Sequence, residues 1–239
     1  MDAYIISYLL LLIAIVFSVV AQIKVNTTFS EYSKKKSKSA LTGAEVARQI
    51  LDAKGLYSVS VEPIRGNLTD HFDPRQNVVR LSENVYGSTS VAAIGVASHE
   101  CGHAIQHAED YSPLVLRSRI VGITNICSRL SFGLIFAGIL IDIVASTSSS
   151  LGYLLQIAGI LAFAVVTFFQ LVTLPVEFNA SARALDIISN RGILSKDELS
   201  GARKVLSAAA MTYLAALAVS LANLLRFALI VSGNSRRRN

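Results

Sequence analysis

The sequence predicts a mainly α-helical integral membrane protein with about four apolar helices and a small α+β segment on the cytoplasmic side. Of the 239 residues, 52% are apolar and only 16% are charged, whereas soluble domains carry roughly 25% charged residues. Between 120 and 180 the charged residues are Arg129, Asp142 and Glu177. A chain of this length cannot bury such a stretch in a soluble core, so lipid is the expected solvent. The length suits one domain, 1–239.

Four apolar segments are long enough to cross the hydrocarbon core of a bilayer, and they are 4–23, 121–144, 151–176 and 206–231. The first has 20 residues without a charge, which span about 30 Å as a helix. Its acidic start at Asp2 favours an anchor over a cleaved signal peptide. The polar connection 146–150 predicts a tight hairpin between the second and third segments. The fourth is either a full span or a partly interfacial helix.

The distribution of lysine and arginine predicts the orientation of the chain. Both long connections, 24–119 and 177–204, are rich in these residues, so both are expected in the cytoplasm of a multi-pass protein of the cell membrane. The basic tail 236–238 fits this orientation only if the last helix does not cross fully. The net charge of +6 then reflects membrane topology, and we expect a lipid bilayer and no nucleic acid as partner.

The cytoplasmic segment 26–118 has the composition of a soluble α+β fold. Thr42 and Glu45 form a predicted capping box at the start of a helix that ends before Gly55. Patterns of β-branched residues predict strands, and a Ser-capped apolar run predicts a longer helix. These elements are the strands 57–64 and 77–81 and the helix 91–109. The second strand is expected to bind an extended peptide along an open edge.

The longer helix contains the pattern H-E-x-x-H, formed by His99, Glu100 and His103. Residues four apart lie on one helical face, so both imidazoles can bind one zinc ion while the glutamate reaches a water on that ion. The extended pattern with a third histidine fails, because Gln106 and Glu109 stand at its Gly and His positions. The segment is therefore expected to be zincin-like, with its third ligand elsewhere.

Glu177 is the expected third ligand, because the hairpin of the second and third spans returns it to the side that carries His99. An acid at the edge of a span is costly unless it is paired or ligated. The alternative is a solvated acid at a helix start. His107 lies about 12 Å along the helix from His99, too far to share its metal, and is expected at the surface or behind the ligands.

In these motifs and in the residues around them, the sequence resembles the bacterial membrane zinc metallopeptidases of the YugP-like type. The resemblance covers nearly the whole chain and rests on Leu68–Pro74, His99–His107, Leu174–Ser181 and Lys204–Ala209. It implies His99 and His103 as zinc ligands, Glu100 as the catalytic residue and Glu177 as the third ligand. The chain is also similar to membrane gluzincins, in which the ligand glutamate opens a Glu-x-x-Ala-Asp block; Ser181 stands in place of that aspartate.

The expected activity is hydrolysis of peptide bonds in peptides or membrane proteins, with one catalytic Zn²⁺ and Glu100 as general base. Candidates for binding substrate, for stabilising the oxyanion or for supporting the ligands are His71, Arg183, Tyr213 and His107. Two alternatives remain open. One is a membrane scaffold with a structural zinc site, and the other is a metal-ion carrier that uses Asp142 and Arg226.

Overall fold

The computed structural model describes residues 3–145 and 149–236, with only the backbone of 233–236. Most of this chain is helical, and the prediction of a mainly α-helical protein with a small sheet is confirmed. The helices are α1 (Ala3–Ser33), α2 (Gly43–Ala53), α3 (Glu83–Tyr86), α4 (Val91–Ala108), α5 (Ser112–Val144), α6 (Ser150–Asn190) and α7 (Lys196–Arg236). The strands are β1 (Ser60–Ile64), β2 (His71–Asp73) and β3 (Val78–Ser82).

Four helices of the described chain are long and apolar enough to cross a membrane, which confirms the predicted number. They are α1, α5, α6 and the part of α7 that ends at Ser232. Each is longer than its apolar segment, and α6 continues through Pro175, a residue that often ends a helix, at the end of its apolar segment. Residues 146–148 of the predicted hairpin connection, Asp2 and tail residues 237–238 lie outside the described residues.

The chain divides into two compact units. The first, which we call the apolar unit, comprises Met1–Val20, Leu116–Thr173 and Tyr213–Asn239. The second, which we call the mixed unit, comprises Ala21–Val115 and Leu174–Thr212 and contains the three strands.

Within the apolar unit, small residues let α5 and α6 pack closely. A Cβ atom on Gly138 would lie 2.5 Å from the carbonyl oxygen of Gly152, so both helices need glycine at this contact. Asp142 closes the hairpin, since its Oδ1 accepts a hydrogen bond from the Ser149 backbone N–H at 2.8 Å and its Oδ2 accepts one from Gln156 at 2.8 Å. Ser149 Oγ accepts a hydrogen bond from the Gly152 backbone N–H at 2.8 Å, so Ser149 caps the start of α6 and Asp142 holds Ser149 in place.

Arg226, the other charged residue considered for metal transport, also lies in the apolar unit. Its guanidinium carbon is 4.9 Å from the ring centre of Phe227 and 5.7 Å from that of Tyr8. Phe227 continues into a cluster with Phe132 and Phe163, in which the ring centres are 5.5 Å apart and the rings meet edge to face. Arg226 therefore stacks on aromatic faces, which attract a cation in an apolar setting.

The sheet of the mixed unit has the strand order β1-β3-β2. β1 pairs with β3 in parallel and β2 pairs with β3 antiparallel. The prediction that strand 77–81 offers an open edge is therefore wrong, because β3 is the middle strand and is paired on both sides. The sequence did not indicate β2, because three residues beside a turn are too short to show an alternating pattern.

Helices α2 and α4 contribute much of the apolar core of the mixed unit. The predicted capping box of α2 is confirmed, with the Glu45 backbone N–H donating to Thr42 Oγ1 and the Thr42 N–H donating to Glu45 Oε2. At the start of α4, Ser90 Oγ accepts a hydrogen bond from the Ala93 backbone N–H at 3.2 Å. Because α4 is capped at its start and mostly buried along its length, its side chains are held in a rigid frame.

Candidate metal centre

The structure brings His99, His103 and Glu177 together within the mixed unit. Glu177 Oε2 lies 3.3 Å from His99 Nε2 and 3.5 Å from His103 Nε2. The two imidazole rings meet edge to face, with centres 4.7 Å apart. All three side chains are shielded, and Glu177 itself is 2% exposed. Among the described residues these three form a group whose ligand atoms converge closely enough to hold one metal ion.

The spacing of these ligand atoms fits tetrahedral zinc. Zinc binds histidine nitrogen and carboxylate oxygen at about 2.0 to 2.2 Å, which places tetrahedral ligands about 3.3 Å apart. The two distances from Glu177 Oε2, 3.3 and 3.5 Å, match this value, and all three ligand atoms lie within 4.8 Å of one another. Two imidazoles and one carboxylate are also a donor set that zinc hydrolases use with a fourth position open. The residues present therefore fit Zn²⁺.

Close packing of α4 against α6 places Glu177 beside the two histidines. A Cβ atom on Gly102 would lie 2.6 Å from the carbonyl oxygen of Ala180, so only glycine permits this approach. On α6, Ala180 and Ala184 follow Glu177 on the same helical face and are completely buried. Small residues on both helices therefore set the distance between the H-E-x-x-H motif and the third candidate ligand.

A chain of hydrogen bonds determines which nitrogen of His103 carries a proton. Arg183 can only donate, and its Nε–H donates to Asn179 Oδ1 at 2.7 Å. Asn179 Oδ1 also accepts from Gln106 Nε2 at 2.9 Å, so the oxygen of the Gln106 amide faces His103. Gln106 Oε1 is 3.0 Å from His103 Nδ1 and can only accept a proton. His103 Nδ1 must therefore carry the hydrogen, which leaves the Nε2 lone pair directed at the metal position.

Gln106 also ties His103 to the backbone of α6. Its Nε2 donates a second hydrogen bond, at 2.9 Å, to the carbonyl oxygen of Val176, the residue before Glu177. Gln106 is completely buried. One amide therefore supports two of the candidate ligands, His103 directly and Glu177 through its neighbour.

The two positions at which the extended zinc motif fails both take part in this network. Gln106 replaces the glycine of that motif and holds His103, as described above. Glu109 replaces the third histidine, and its Oε2 accepts a hydrogen bond from Arg183 at 2.6 Å. Sequence reasoning missed these roles, although a glutamine three residues after a ligand histidine lies on the same helical face and could have suggested one.

His99 is supported by Ser181. The Ser181 hydroxyl lies 3.1 Å from His99 Nδ1 and accepts its proton when Nε2 faces a metal. The resemblance to membrane gluzincins drawn from the sequence would place an aspartate at this position. A neutral hydroxyl here keeps the orienting contact and lacks the negative charge that would make the imidazole a stronger ligand.

Glu100 is buried beside the ligands, with 8% of its surface exposed. Burial raises the pKa of its carboxyl group; the neighbouring His99 and His103 oppose this effect, and the negative charges of Asp70 and Glu177 add to it. A carboxyl group with a raised pKa is suited to taking and returning a proton near neutral pH.

Asp70 was not singled out from the sequence, yet it lies close enough to Glu100 to affect its charge. Its Oδ1 accepts a hydrogen bond from the Ser82 backbone N–H at 2.7 Å, and its carboxylate also accepts one from the Ser82 hydroxyl at 3.0 Å. Burial raises the pKa of Asp70 in spite of these two donors. No sequence signal indicated this residue, because its approach to α4 depends on the fold of the sheet.

The remaining candidate residues lie in different surroundings. His71 begins β2, and its Nδ1 is 2.8 Å from the carbonyl oxygen of Thr69. His107 is exposed, with its ring centre 5.7 Å from that of Phe72. Arg183 is engaged by Asn179 and Glu109, and Tyr213 belongs to the apolar unit. Their roles toward a substrate stay predictions.

Comparisons with known proteins give the family of the chain. Residues 7–232 match the family described as "Putative neutral zinc metallopeptidase". The chain is 53% identical over 211 residues to "Putative membrane protease YugP" of Bacillus subtilis (strain 168), covering 88% of this chain and 89% of that protein. No solved structure matches the chain. The resemblance drawn from the sequence motifs is thereby confirmed, and the chain belongs to this family of membrane zinc metallopeptidases.

Proposed function

We propose that the protein is a zinc-dependent membrane endopeptidase, with its active site at the cytoplasmic surface of the membrane. The observation that carries the proposal is the convergence of His99, His103 and Glu177 beside the buried carboxyl group of Glu100. A structural zinc site is usually closed by four protein ligands, whereas a catalytic site has three and keeps one position open. The group of three found among the described residues therefore supports catalysis over a scaffold.

In the proposed reaction the side chains of this chain bind, orient and move protons. His99, His103 and Glu177 hold Zn²⁺, which when bound activates a water and polarises the substrate carbonyl. Ser181 and Gln106 orient the two imidazoles. Glu100 takes a proton from the attacking water and then gives it to the leaving amine of the peptide.

The edge strand β2 is the proposed site for the substrate backbone. Among the described strands β2 pairs with β3 only, so its other edge is free to pair with an extended peptide. β2 also contacts α4, the helix that carries Glu100. Reporter peptides with single N-methyl groups near the cleaved bond should be cut with lower kcat/KM, because one backbone donor is lost. Equal cleavage of methylated and unmethylated peptides would exclude pairing with β2.

The proposed cytoplasmic location rests on charge distribution. Lysine and arginine are concentrated in the two connections that contain the site residues, and such loops remain in the cytoplasm. A cysteine-accessibility experiment on intact cells, with Ser39→Cys as the reporter, tests this. Labelling by a membrane-impermeant maleimide only after lysis is the expected result, and labelling of intact cells would reverse the orientation.

The proposed activity is tested by comparing wild type with Glu100→Gln, purified in detergent. Bound zinc per chain and cleavage of an unfolded reporter such as casein are measured for both proteins. We expect equal zinc, with cleavage reduced at least about 100-fold in the variant, because a general base contributes roughly 10²- to 10⁴-fold. Glu83→Gln makes the same chemical change at an exposed position of α3 and serves as the matched control.

Two outcomes would contradict the proposal. Zinc in both proteins with cleavage in neither would favour the scaffold with structural zinc. Equal cleavage by wild type and Glu100→Gln would remove Glu100 from the reaction, and with it the proposed mechanism.

A further inference from the structure

A cavity of about 1040 Å³ lies between α1, α6 and α7 within the mixed unit. Its volume is at the upper end of the range of small-molecule pockets, about 300 to 1,000 Å³. The three metal-site residues do not line it, although Ser181 does. The cavity, which we call the helical groove, is therefore a feature of the fold that the proposed peptidase mechanism does not use.

The lining of the helical groove carries more positive than negative charge. Its cationic side chains are Lys24, Arg203 and Lys204, all exposed and none in an ion pair with another described residue. The lining also holds two acids, Glu31 and Asp186, and three cations against two acids leave a net charge of +1. Glu31 pairs with Lys35 at 2.7 Å, and Asp186 accepts a hydrogen bond from Asn190 at 2.9 Å. An anionic group is thus the ligand that the charges of the groove favour.

Apolar side chains line the helical groove next to these cations. Phe178 and Leu185 come from α6, and Leu206 and Met211 come from α7. Phe178 is 46% exposed and is therefore accessible to an apolar ligand or to lipid. The groove thus combines cations with an apolar wall, as an amphipathic ligand requires.

The sequence places this groove at the level where the chain leaves the bilayer. Lys24 is the first charged residue after the uncharged segment 4–23, and Lys204 is the last before the uncharged segment 205–225. Phe178 follows directly on the third apolar segment, 151–176, and Glu177. In all three helices that line the groove, charged residues therefore give way to apolar ones along the length of the groove. Such a transition is expected at the depth of the lipid headgroups.

We propose that the helical groove binds one anionic phospholipid. The lipid phosphate is held by Lys24, Arg203 and Lys204, and an acyl chain lies against Phe178 and Met211. Basic pockets between membrane helices bind anionic headgroups in this manner. A peptide fits less well, because helices alone line the groove and an extended chain would find no strand edge there.

The test is native mass spectrometry of the full chain in detergent, with phosphatidylglycerol or phosphatidylcholine added. Wild type is compared with the triple variant Lys24→Gln, Arg203→Gln, Lys204→Gln. The matched control removes the same charge from the exposed cluster that precedes α2, by Lys34→Gln, Lys36→Gln and Lys38→Gln. Equal zinc content shows that both variants are folded. If the groove variant does not fold, the single change Lys24→Gln, at an exposed position, takes its place.

We expect wild type and the control to retain one phosphatidylglycerol per chain in preference to phosphatidylcholine. Each basic residue near an anionic surface contributes about fivefold to binding, so the groove variant should lose about 100-fold and Lys24→Gln about fivefold. Equal binding of the two lipids by wild type would overturn the proposal. Equal losses in the groove variant and the control would do so as well, because they would indicate non-specific attraction. Displacement of the lipid by millimolar glycerol phosphate would show a phosphate site and no lipid site.

Discussion

Replacing Gln106 by methionine tests whether the hydrogen bonds behind His103 control zinc affinity. Methionine has a similar volume but cannot accept the proton of His103 Nδ1, which lies 3.0 Å from Gln106 Oε1. Asn179 Oδ1 keeps its hydrogen bond from Arg183, whereas His103 Nδ1 and the carbonyl oxygen of Val176 each lose a partner. A buried donor without a partner costs about 1 to 3 kcal/mol. Loss of such an outer partner weakens metal binding about 10- to 100-fold.

The assay measures the Zn²⁺ dissociation constant by competition with a chromophoric chelator, using purified protein in detergent. The Gln106→Met variant should bind zinc about 10- to 100-fold more weakly, equivalent to about 1.4 to 2.8 kcal/mol. Gln106→Glu keeps an acceptor for His103 but places a carboxylate against the carbonyl oxygen of Val176. It should therefore bind zinc almost as wild type does, while its melting temperature falls.

The matched control is Gln156→Met, which removes another buried glutamine, in the apolar unit. It should lower the melting temperature, because Gln156 donates to Asp142, and leave zinc affinity unchanged. If Gln106→Met binds zinc with the affinity of wild type, the hydrogen bond to His103 does not control zinc affinity. Equal weakening in Gln156→Met would lead to the same conclusion, because the effect would then be global.

Three further changes test other parts of the mixed unit. Gly102→Ala places a methyl group 2.6 Å from a carbonyl oxygen of α6 and should lower the free energy of unfolding by about 1 to 3 kcal/mol, as measured by urea titration. Gly87→Ala is the control, because its methyl group meets open space and should leave the free energy of unfolding unchanged. Ser181→Asp supplies a carboxylate to His99 and should tighten zinc binding about tenfold, and unchanged affinity in competition assays would contradict this. Burial raises the pKa of the Asp70 carboxyl group above its ordinary 3.8, so folding is accompanied by the binding of a proton. The free energy of unfolding should therefore fall as the pH rises from 3.8 through the raised pKa. Asp70→Asn should flatten this part of the profile of melting temperature against pH.

Much of the fold could be predicted from local sequence signals. Apolar segments of membrane length predicted four apolar helices, and Thr42 with Glu45 predicted the capping box of α2. Such signals act within a few turns of helix, so they survive in any tertiary arrangement. The order of the strands was not available in this way. Strand 77–81 was expected at an edge and lies in the middle, because β2 pairs with it from a segment of three residues.

The sequence by itself determined that two candidate metal ligands lie side by side, since the spacing of His99 and His103 on one helical turn requires no knowledge of the rest of the fold. It also nominated Glu177, from the cost of an acid at the end of a span. Only the tertiary structure decided how these groups meet. The contact of Gly102 with Ala180 joins residues 78 positions apart, and the hydrogen bond from Gln106 to Val176 joins residues 70 positions apart. Contacts over such separations leave no periodic trace in a sequence.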